Sequence, residues 1–151
     1  MPKTISKDIP LAELTLRKYE KPYKASKREN IRKVCLSVGL LQPGDSRDII
    51  VDVLSVLLDA KDKKHLLASE EIVSLVIKNR KKEKLQLNGI ASSNIRRQIK
   101  RLKDLHLVEN VQNQYRIHEF DNLSVIFEKR IKDFYLTNIL ERVEEYFKQV
   151  K

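Results

Sequence analysis

The sequence predicts a mainly α-helical protein with a minor β component. Gly (3) and Pro (4) are scarce among 151 residues, and Trp is absent. Turn-rich β folds need many Gly and Pro residues at their turns, so this composition favours helices. Apolar residues make up 41% of the chain, which is enough for a core, and most of them recur at helical spacing. Only a few short stretches alternate in the manner of strands. We therefore expect one globular domain with an N-terminal extension and a long C-terminal helix.

The positive charge of the chain is concentrated in two segments. The net charge is +10, and residues 1–40 carry ten cations against four anions, while residues 91–120 carry six against three. The stretches 41–90 and 121–151 are close to neutral. A charge that only kept the protein in solution would have no reason to concentrate in this way, whereas clustered cations are typical of proteins that bind polyanions.

Several functional classes lack their sequence signature. Cys35 is the only cysteine, which excludes an internal disulfide and a multi-cysteine metal site. His65, His106 and His118 do not have the spacing of metal ligands, and no glycine-rich phosphate loop or nucleophile motif is present. No apolar run approaches the roughly 18 residues of a membrane span, and the first residues do not resemble a signal peptide. We expect a cytoplasmic, soluble protein with no catalytic residue, metal, cofactor or membrane partner.

Residues 1–45 are predicted to form a basic arm followed by a helix. Ser26 is a candidate N-cap with Glu29 three residues later, and Gly39 is a natural helix stop. The arm could follow a phosphate backbone or be a solvated flank, and its stretch ELTLRKYEKPY could equally be a strand that docks a protein. The cations of the arm are Arg17, Lys18, Lys21, Lys24, Lys27 and Arg28.

Two further helices are predicted next. A helix over 46–62, capped by Asp45 or Ser46, is apolar on most of its circumference, which places it in the centre of the core. The stretch KHLLAS is too short for a helix and is predicted as one short strand. A second helix begins with Ser69 as its N-cap, and a polar connection follows over about 78–88.

The stretch ASSNIRRQIKRLKDL predicts an amphipathic helix from about Ala91 to Asp104. Ile95, Ile99 and Leu102 fall within a narrow arc that would pack on the core. The opposite face carries Ser93, Arg97, Lys100 and Asp104, flanked by Arg96 and Arg101. Short hydrogen-bonding side chains and cations on one helical face suit the base edges and phosphates of DNA. Directly afterwards, the alternating LHLVENV, a turn at QNQ and the short YRI predict a small hairpin.

The order of helix, short strand, helix, basic helix and hairpin resembles the winged helix-turn-helix domain of prokaryotic and archaeal transcription regulators. The run GIASSNIRRQIKRLKDLHLVE is similar to that family's recognition helix and the start of its wing, and the resemblance covers residues 46–118. It implies DNA contacts from Ser92, Ser93, Asn94, Arg96, Arg97, Lys100 and Arg101 on the helix, and from Asn113, Gln114 and Arg116 on or beside the wing. The connection over 78–88 is longer than the family's turn, and the wing tip carries amides instead of cations.

Residues 119–151 are predicted to form a long helix and a dimerisation element. Apolar residues in its second half follow a 4-3-4-3 spacing, as in a coiled-coil seam. This expected dimer interface consists of Leu136, Leu140, Val143, Phe147 and Val150. An earlier set with a different phase, Leu123, Phe127, Ile131 and Phe134, would pack on the protein's own core. The alternative is that the whole helix folds back on that core.

These expectations define a DNA-binding transcription regulator that inserts its basic helix into the major groove. A homodimer would place two such helices in successive grooves about 34 Å apart, and the protein would then be nucleoid-associated. The alternative is a winged-helix protein- or RNA-interaction module of a transcription, replication or RNA-processing complex. A nucleic-acid enzyme would need clustered carboxylates near the basic face, and the sequence has none there. Whether a small-molecule effector binds is left open.

Overall fold

A computed structural model describes residues 8–151, which form five helices and one β-hairpin. The elements are α1 (Lys27–Ser37), α2 (Ile49–Asp62), α3 (Ser69–Lys82), α4 (Ser92–Asp104), β1 (Val108–Val111), β2 (Gln114–Ile117), a 3-10 turn (His118–Phe120) and a last helix, α5. Helix α5 is continuous and consists of α-helical Leu123–Ile126, π-helical Phe127–Leu136 and α-helical Thr137–Gln149. The predicted mainly α fold with minor β structure is confirmed. The first seven residues of the predicted basic arm lie outside the described part of the chain.

Helix α2 is the centre of the core, as its sequence predicts. Val51, Val53, Leu54 and Leu57 are each 0% exposed, and full burial of a side chain of this size stabilises the fold by about 1.5–3 kcal/mol. Helices α1, α3 and α4 and strand β2 pack around it. The helix begins later than the predicted start at Ser46, because Asp48 occupies the N-cap position. Among residues 8–151, no helix has both the length and the apolarity needed to cross a membrane.

Helix α1 has the predicted ends. The Ser26 hydroxyl accepts a hydrogen bond from the Glu29 N–H at 3.2 Å, and this satisfies one of the unpaired N–H groups of the first turn. Gly39 follows the helix with a φ of +79°, in the left-handed region where glycine has no steric penalty. A Cβ atom at this position would lie 2.6 Å from the Thr15 Cβ. Any other residue at position 39 would therefore collide with the N-terminal segment where it packs beside α1.

Helix α3 differs from its prediction at both ends. Its N-cap is Ala68 and not Ser69, because the Glu71 carboxylate accepts the Ala68 N–H at 2.9 Å and takes over the capping role. The helix continues to Lys82, so it includes the first part of the connection predicted over 78–88. The observed connection spans 83–91 and still separates α3 and α4 by more than a tight turn.

The predicted hairpin is confirmed, with a two-residue turn. Val108 pairs with Ile117 and Val111 with Gln114. Gln112 and Asn113 both have positive φ, 52° and 67°, as a type I′ turn requires. Gln114 therefore belongs to β2 and not to the tip. The strand predicted at KHLLAS is reduced to a single bridge, in which Leu67 and Tyr115 exchange two backbone hydrogen bonds of 3.0 and 2.7 Å.

Helix α5 packs on the core through two of the four predicted residues, the buried Ile131 and the partly buried Leu123, and through Ile126. Ile126 and Ile131 are 2% and 1% exposed, whereas Phe127 and Phe134 are 38% and 55% exposed. The π-helical segment explains the difference, because its i to i+5 hydrogen bonding brings residues five apart onto one face. From Thr137 onward, no residue of the helix is buried.

The N-terminal segment is fastened to both ends of the fold. The backbone of Glu13 and the hydroxyl of Tyr135 in α5 exchange two hydrogen bonds of 3.2 and 3.0 Å. Arg17 donates from Nη1 to the carbonyl oxygens of Leu36 (2.7 Å) and Leu41 (3.1 Å). The guanidinium of Arg17 therefore binds backbone carbonyls within the protein, and Arg17 is not one of the free cations predicted for the arm.

Four charged side chains meet where α1, α2 and α3 come together. Asp52 and Arg80 are 2% and 5% exposed, and Arg80 Nη1 lies 2.5 Å from Asp52 Oδ2. Arg28 bridges the same carboxylate at 2.5 Å and Asp48 at 2.9 Å. Arg80 also reaches Asp48 at 3.2 Å and donates from Nε to the Gln86 carbonyl at 2.6 Å. We call Arg28, Asp48, Asp52 and Arg80 the ionic cluster. Arg28 is thus a second predicted arm cation that is used internally.

The charges of the ionic cluster stabilise one another. Burial by itself would raise the pKa of Asp48, but hydrogen bonds and charge from Arg28 and Arg80 hold that pKa below its ordinary value. Burial would lower the pKa of Arg28, and its bonds to Asp52 and Asp48 raise it instead. The contacts of the cluster therefore favour the charged forms of Arg28 and Asp48.

We expect Arg80→Met to lower the free energy of unfolding by about 3 kcal/mol, because it leaves a buried carboxylate without one of its two cations. Chemical denaturation monitored by circular dichroism measures this change. Lys27→Met is the matched control, since Lys27 pairs with Asp59 where both side chains are more than half exposed, and such pairs contribute little. Equal stabilities of the two variants would contradict the role given to the cluster.

Candidate nucleic-acid interface

Helix α4 separates its apolar and charged faces as predicted. Ile95, Ile99 and Leu102 are 0%, 2% and 0% exposed and fasten the helix to α2, α3 and β1. Ala91 precedes the helix and cannot cap it with a side-chain oxygen, so the N–H groups of the first turn remain available to an outside acceptor. The N-terminal end of α4 therefore attracts anions through both its N–H groups and the helix dipole.

The outward face of α4 carries cations that are only weakly paired. Arg96 and Lys100 keep 58% and 72% of their side-chain surface exposed. Arg96 is 3.8 Å from the Glu70 carboxylate, and Lys100 is 2.9 Å from that of Asp104. Exposed pairs of this kind contribute little to stability. An incoming phosphate can therefore replace the carboxylate partners at low cost. The other exposed members of this face are Ser92, Ser93, Arg97 and Lys103.

Asn94 lies on the side of α4 and holds the preceding loop. Its Nδ2 donates to the Gly89 carbonyl at 2.7 Å, and its Oδ1 accepts from Gln98 at 3.0 Å and from Arg97 at 3.2 Å. Gly89 has a φ of +85°, and a Cβ there would lie 3.1 Å from both Asn94 and Ile49. The amide of Asn94 is thus used within the protein, which leaves Ser92 and Ser93 as the free short side chains at this end.

Arg101 connects α4 to the loop between α1 and α2. Its Nη2 donates to the Leu40 carbonyl at 2.7 Å and lies 3.4 Å from that of Gly39. Its Nη1 donates to Gln98 at 2.9 Å. The sequence resemblance places Arg101 among the DNA-facing residues, but in the structure its guanidinium points toward the loop after α1, because the flank of α4 that carries it faces the carbonyl groups of Gly39 and Leu40.

The hairpin presents a polar, uncharged tip. Asn113 is exposed and its N–H donates to the Asn110 side chain at 2.9 Å. Arg116 is paired with Glu109 at 2.7 Å and covers the ring of Phe120. Burial alone would raise the pKa of Glu109, but hydrogen bonds from the Glu119 N–H and Arg116 hold it below its ordinary value. The positive charge of Arg116 is thus paired with the carboxylate of Glu109, and Gln114 is half-buried within β2.

Arg47 belongs to the same region, although nothing in its local sequence singles it out. It lies in the loop before α2, is exposed, and forms no ion pair within the described part of the chain. Together with Arg97 and Arg101 it lines a cavity of about 320 Å³ between that loop and α4. The turn-like composition of LQPGDSRD predicts a loop but does not show which helix the loop lies beside.

The predicted dimer residues lie on the exposed half of α5. Leu140, Val143 and Phe147 are 57%, 45% and 76% exposed, and Leu136 is half-buried. Val150 is 81% exposed and follows the end of the helix at Gln149. Most of this apolar stripe is exposed, although Val143 also lines a cavity of about 820 Å³ that it shares with residues 8–12.

We expect Arg101→Met to lower the free energy of unfolding by about 1–3 kcal/mol, because the Leu40 carbonyl loses its charged donor. Arg97→Met, one helical turn earlier, should change it by less than about 0.5 kcal/mol, because Arg97 is exposed. Thermal and denaturant unfolding of the two variants makes the comparison. If Arg101→Met were as stable as Arg97→Met, the inward contacts of Arg101 would not matter to the fold.

Within residues 8–151, no group of three His, Cys, Asp or Glu side chains is arranged to hold a metal ion. Comparison of the chain with protein-family models, curated proteins and solved structures finds no match. The interpretation of the basic surface therefore rests on its geometry and charge.

Proposed function

We propose that the protein is a DNA-binding transcription regulator in which α2, α3, α4 and the hairpin act as a winged helix-turn-helix domain over residues 46–118. The observation that carries this proposal is the division of α4 into a fully buried apolar stripe and an exposed face of serines and cations. A helix held rigidly by three buried side chains can enter the major groove without rearrangement.

In this proposal, α4 provides both kinds of DNA contact. Ser92 and Ser93 at its N-terminal end approach base edges, where hydroxyl groups donate and accept hydrogen bonds. Arg96, Arg97 and Lys100 reach phosphates or guanine, and phosphate contacts supply affinity that falls steeply as salt rises. Asn113 at the hairpin tip contributes neutral hydrogen bonds to the backbone. The protein is accordingly cytoplasmic and associated with the nucleoid.

The exposed stripe of α5 is proposed to pair with its counterpart in a second chain. Apolar side chains at a 4-3-4-3 spacing bury one another most completely against an identical helix, and a two-fold dimer presents two copies of α4 to one duplex. The surface in question consists of Leu136, Leu140, Val143, Phe147 and Val150.

A second candidate function is a winged-helix module that binds a protein or a structured RNA. The neutral hairpin tip and the pairing of Arg116 with Glu109 favour it, because a wing that contacts duplex phosphates usually supplies free cations. In this case the cations of α4 would meet an acidic protein surface or RNA.

We expect the protein to bind a labelled 30-base-pair duplex of random sequence with micromolar affinity, and the affinity to fall steeply as salt is raised. Replacing both Arg97 and Lys100 by Ala should weaken binding at least roughly tenfold with little change in melting temperature, because both side chains are exposed. Fluorescence anisotropy across a salt series measures both effects.

The matched control replaces Lys63 and Lys129 by Ala. Both are exposed and form no ion pair within residues 8–151, and neither lies on α4, so the same charge is removed elsewhere. Equal affinity of the two double variants would mean that α4 does not face DNA. No binding by the unaltered protein at low salt would favour the protein- or RNA-binding module.

We expect sedimentation at micromolar concentration to give twice the chain mass of 17.7 kDa. Leu140→Glu should shift the protein to the monomer, because it places a charge in the apolar seam. Lys148→Glu is the control, since Lys148 lies on the same half of α5 at 75% side-chain exposure but outside the seam. A monomer from the unaltered protein would contradict the dimer.

A further inference from the structure

The cavity beside Arg47 has an apolar floor and cationic walls. Leu41, Ile49 and neighbouring buried side chains form its base, while Arg47 enters from the loop before α2 and Arg97 from α4. At about 320 Å³, it lies at the lower end of the range for pockets that hold small molecules or large substituents.

Two of the three arginines that line the cavity are held by contacts inside the protein. Arg101 is held by the Leu40 carbonyl and by Gln98, and Arg97 by the Asn94 oxygen at 3.2 Å. Holding these side chains in place reduces the entropy that an incoming anion would have to overcome. Gly89 completes the wall, because a side chain at this position would press against both Asn94 and Ile49.

Among residues 8–151, only one carboxylate, that of Asp45, lines the cavity, and it accepts a hydrogen bond from the protein backbone. Its Oδ2 accepts the backbone N–H of Gln42 at 3.0 Å. Arg47 has no anionic partner within the described part of the chain. Three guanidinium groups therefore face one carboxylate, and the cavity carries excess positive charge.

We propose that this cavity is a phosphate-binding site. Its guanidinium groups come from two separate elements, and a phosphate has acceptor oxygens in a tetrahedral arrangement that can meet donors from more than one direction. A planar carboxylate offers its acceptors in one plane only. Arg47 and Arg97 contact the anion, and Arg101 is a positioning residue that holds the loop and α4 together.

The phosphate can come from either of two sources. One is the backbone of the DNA strand that flanks α4, since Arg97 lies on the outward face of α4 and on the cavity wall at once; this source rests on the proposed function. The other is a free phosphate or phosphate ester, which does not depend on DNA binding. Both require the same arginines, so one variant tests the site and two probes separate the sources.

The first probe is the labelled 30-base-pair duplex. Arg47→Gln should lower the affinity roughly tenfold, as expected for the loss of one hydrogen-bonded ion pair, and reduce the slope of log affinity against log salt by about 0.9 for each chain bound. Lys63→Gln is the control, because Lys63 is also exposed and unpaired within residues 8–151 but follows the far end of α2, about 20 Å away along the helix. It should retain the slope and the affinity of the unaltered protein.

The second probe is inorganic phosphate, added to the full chain at constant ionic strength against chloride. Nuclear magnetic resonance should show saturable shifts of the Gly89 amide and of the Nε–H groups of Arg47 and Arg97 if free phosphate occupies the site. Arg47→Gln should abolish the saturable shift at Gly89, and Lys63→Gln should not. Melting temperatures of both variants within about 2 °C of the unaltered protein establish that the fold is retained.

The outcomes separate the site from the proposed function. A salt slope that is reduced in Arg47→Gln but not in Lys63→Gln supports the site, with DNA as the source of the phosphate. Saturable phosphate shifts without any DNA binding support the site while refuting the regulator. DNA binding that is equal in Arg47→Gln and Lys63→Gln, together with no phosphate shift, overturns the site and leaves the regulator intact. If the protein shows no DNA binding and no phosphate shifts, both the phosphate site and the regulator are overturned.

Discussion

The ionic cluster is the constraint on which the rest of the structure depends. It joins Arg28 of α1, Asp48 and Asp52 at the start of α2, and Arg80 near the end of α3. A buried ion pair gains little over a well-packed apolar contact, so its importance here is geometric. Hydrogen-bonding directions fix the angles at which three helices meet, which apolar contacts alone leave freer. Arg80 also holds the Gln86 carbonyl, and so begins to order the loop that leads to α4.

The position of α4 is set by buried apolar side chains together with several polar contacts. Ile95, Ile99 and Leu102 determine which face of the helix is inside. The contact of Asn94 with Gly89 determines where the helix begins, and the contact of Arg101 with Leu40 sets its distance from the loop before α2. The exposed cations are therefore displayed by a rigid helix, which is what recognition of a groove or of a shaped acidic surface requires.

Periodicity in the sequence is sufficient to predict α2, α4 and the hairpin, because their patterns depend on near neighbours only. Contacts between distant residues are not visible in this way. Arg28, Arg80 and Arg101 each look like surface cations in their local sequence, yet each also binds a group that lies between 20 and 62 residues away in the chain. The cap at Ala68 and the π-helical segment of α5 also escaped prediction, since a hydrogen bond from the Ala68 N–H to the Glu71 carboxylate and a five-residue repeat have no distinct local pattern.

The link between Glu13 and Tyr135 has a consequence for the geometry of an assembled protein. Helix α5 has no buried residue beyond Leu136, so the direction in which it leaves the domain is set mainly by earlier contacts, among them this link, the buried Ile126 and Ile131, and the edge contact of His106 with the Tyr135 ring. If two chains pair through α5, that direction becomes a lever arm between the two copies of α4. A small rotation at the Tyr135 hydroxyl would then change the distance between the two copies of α4, and the N-terminal segment would help to set that distance.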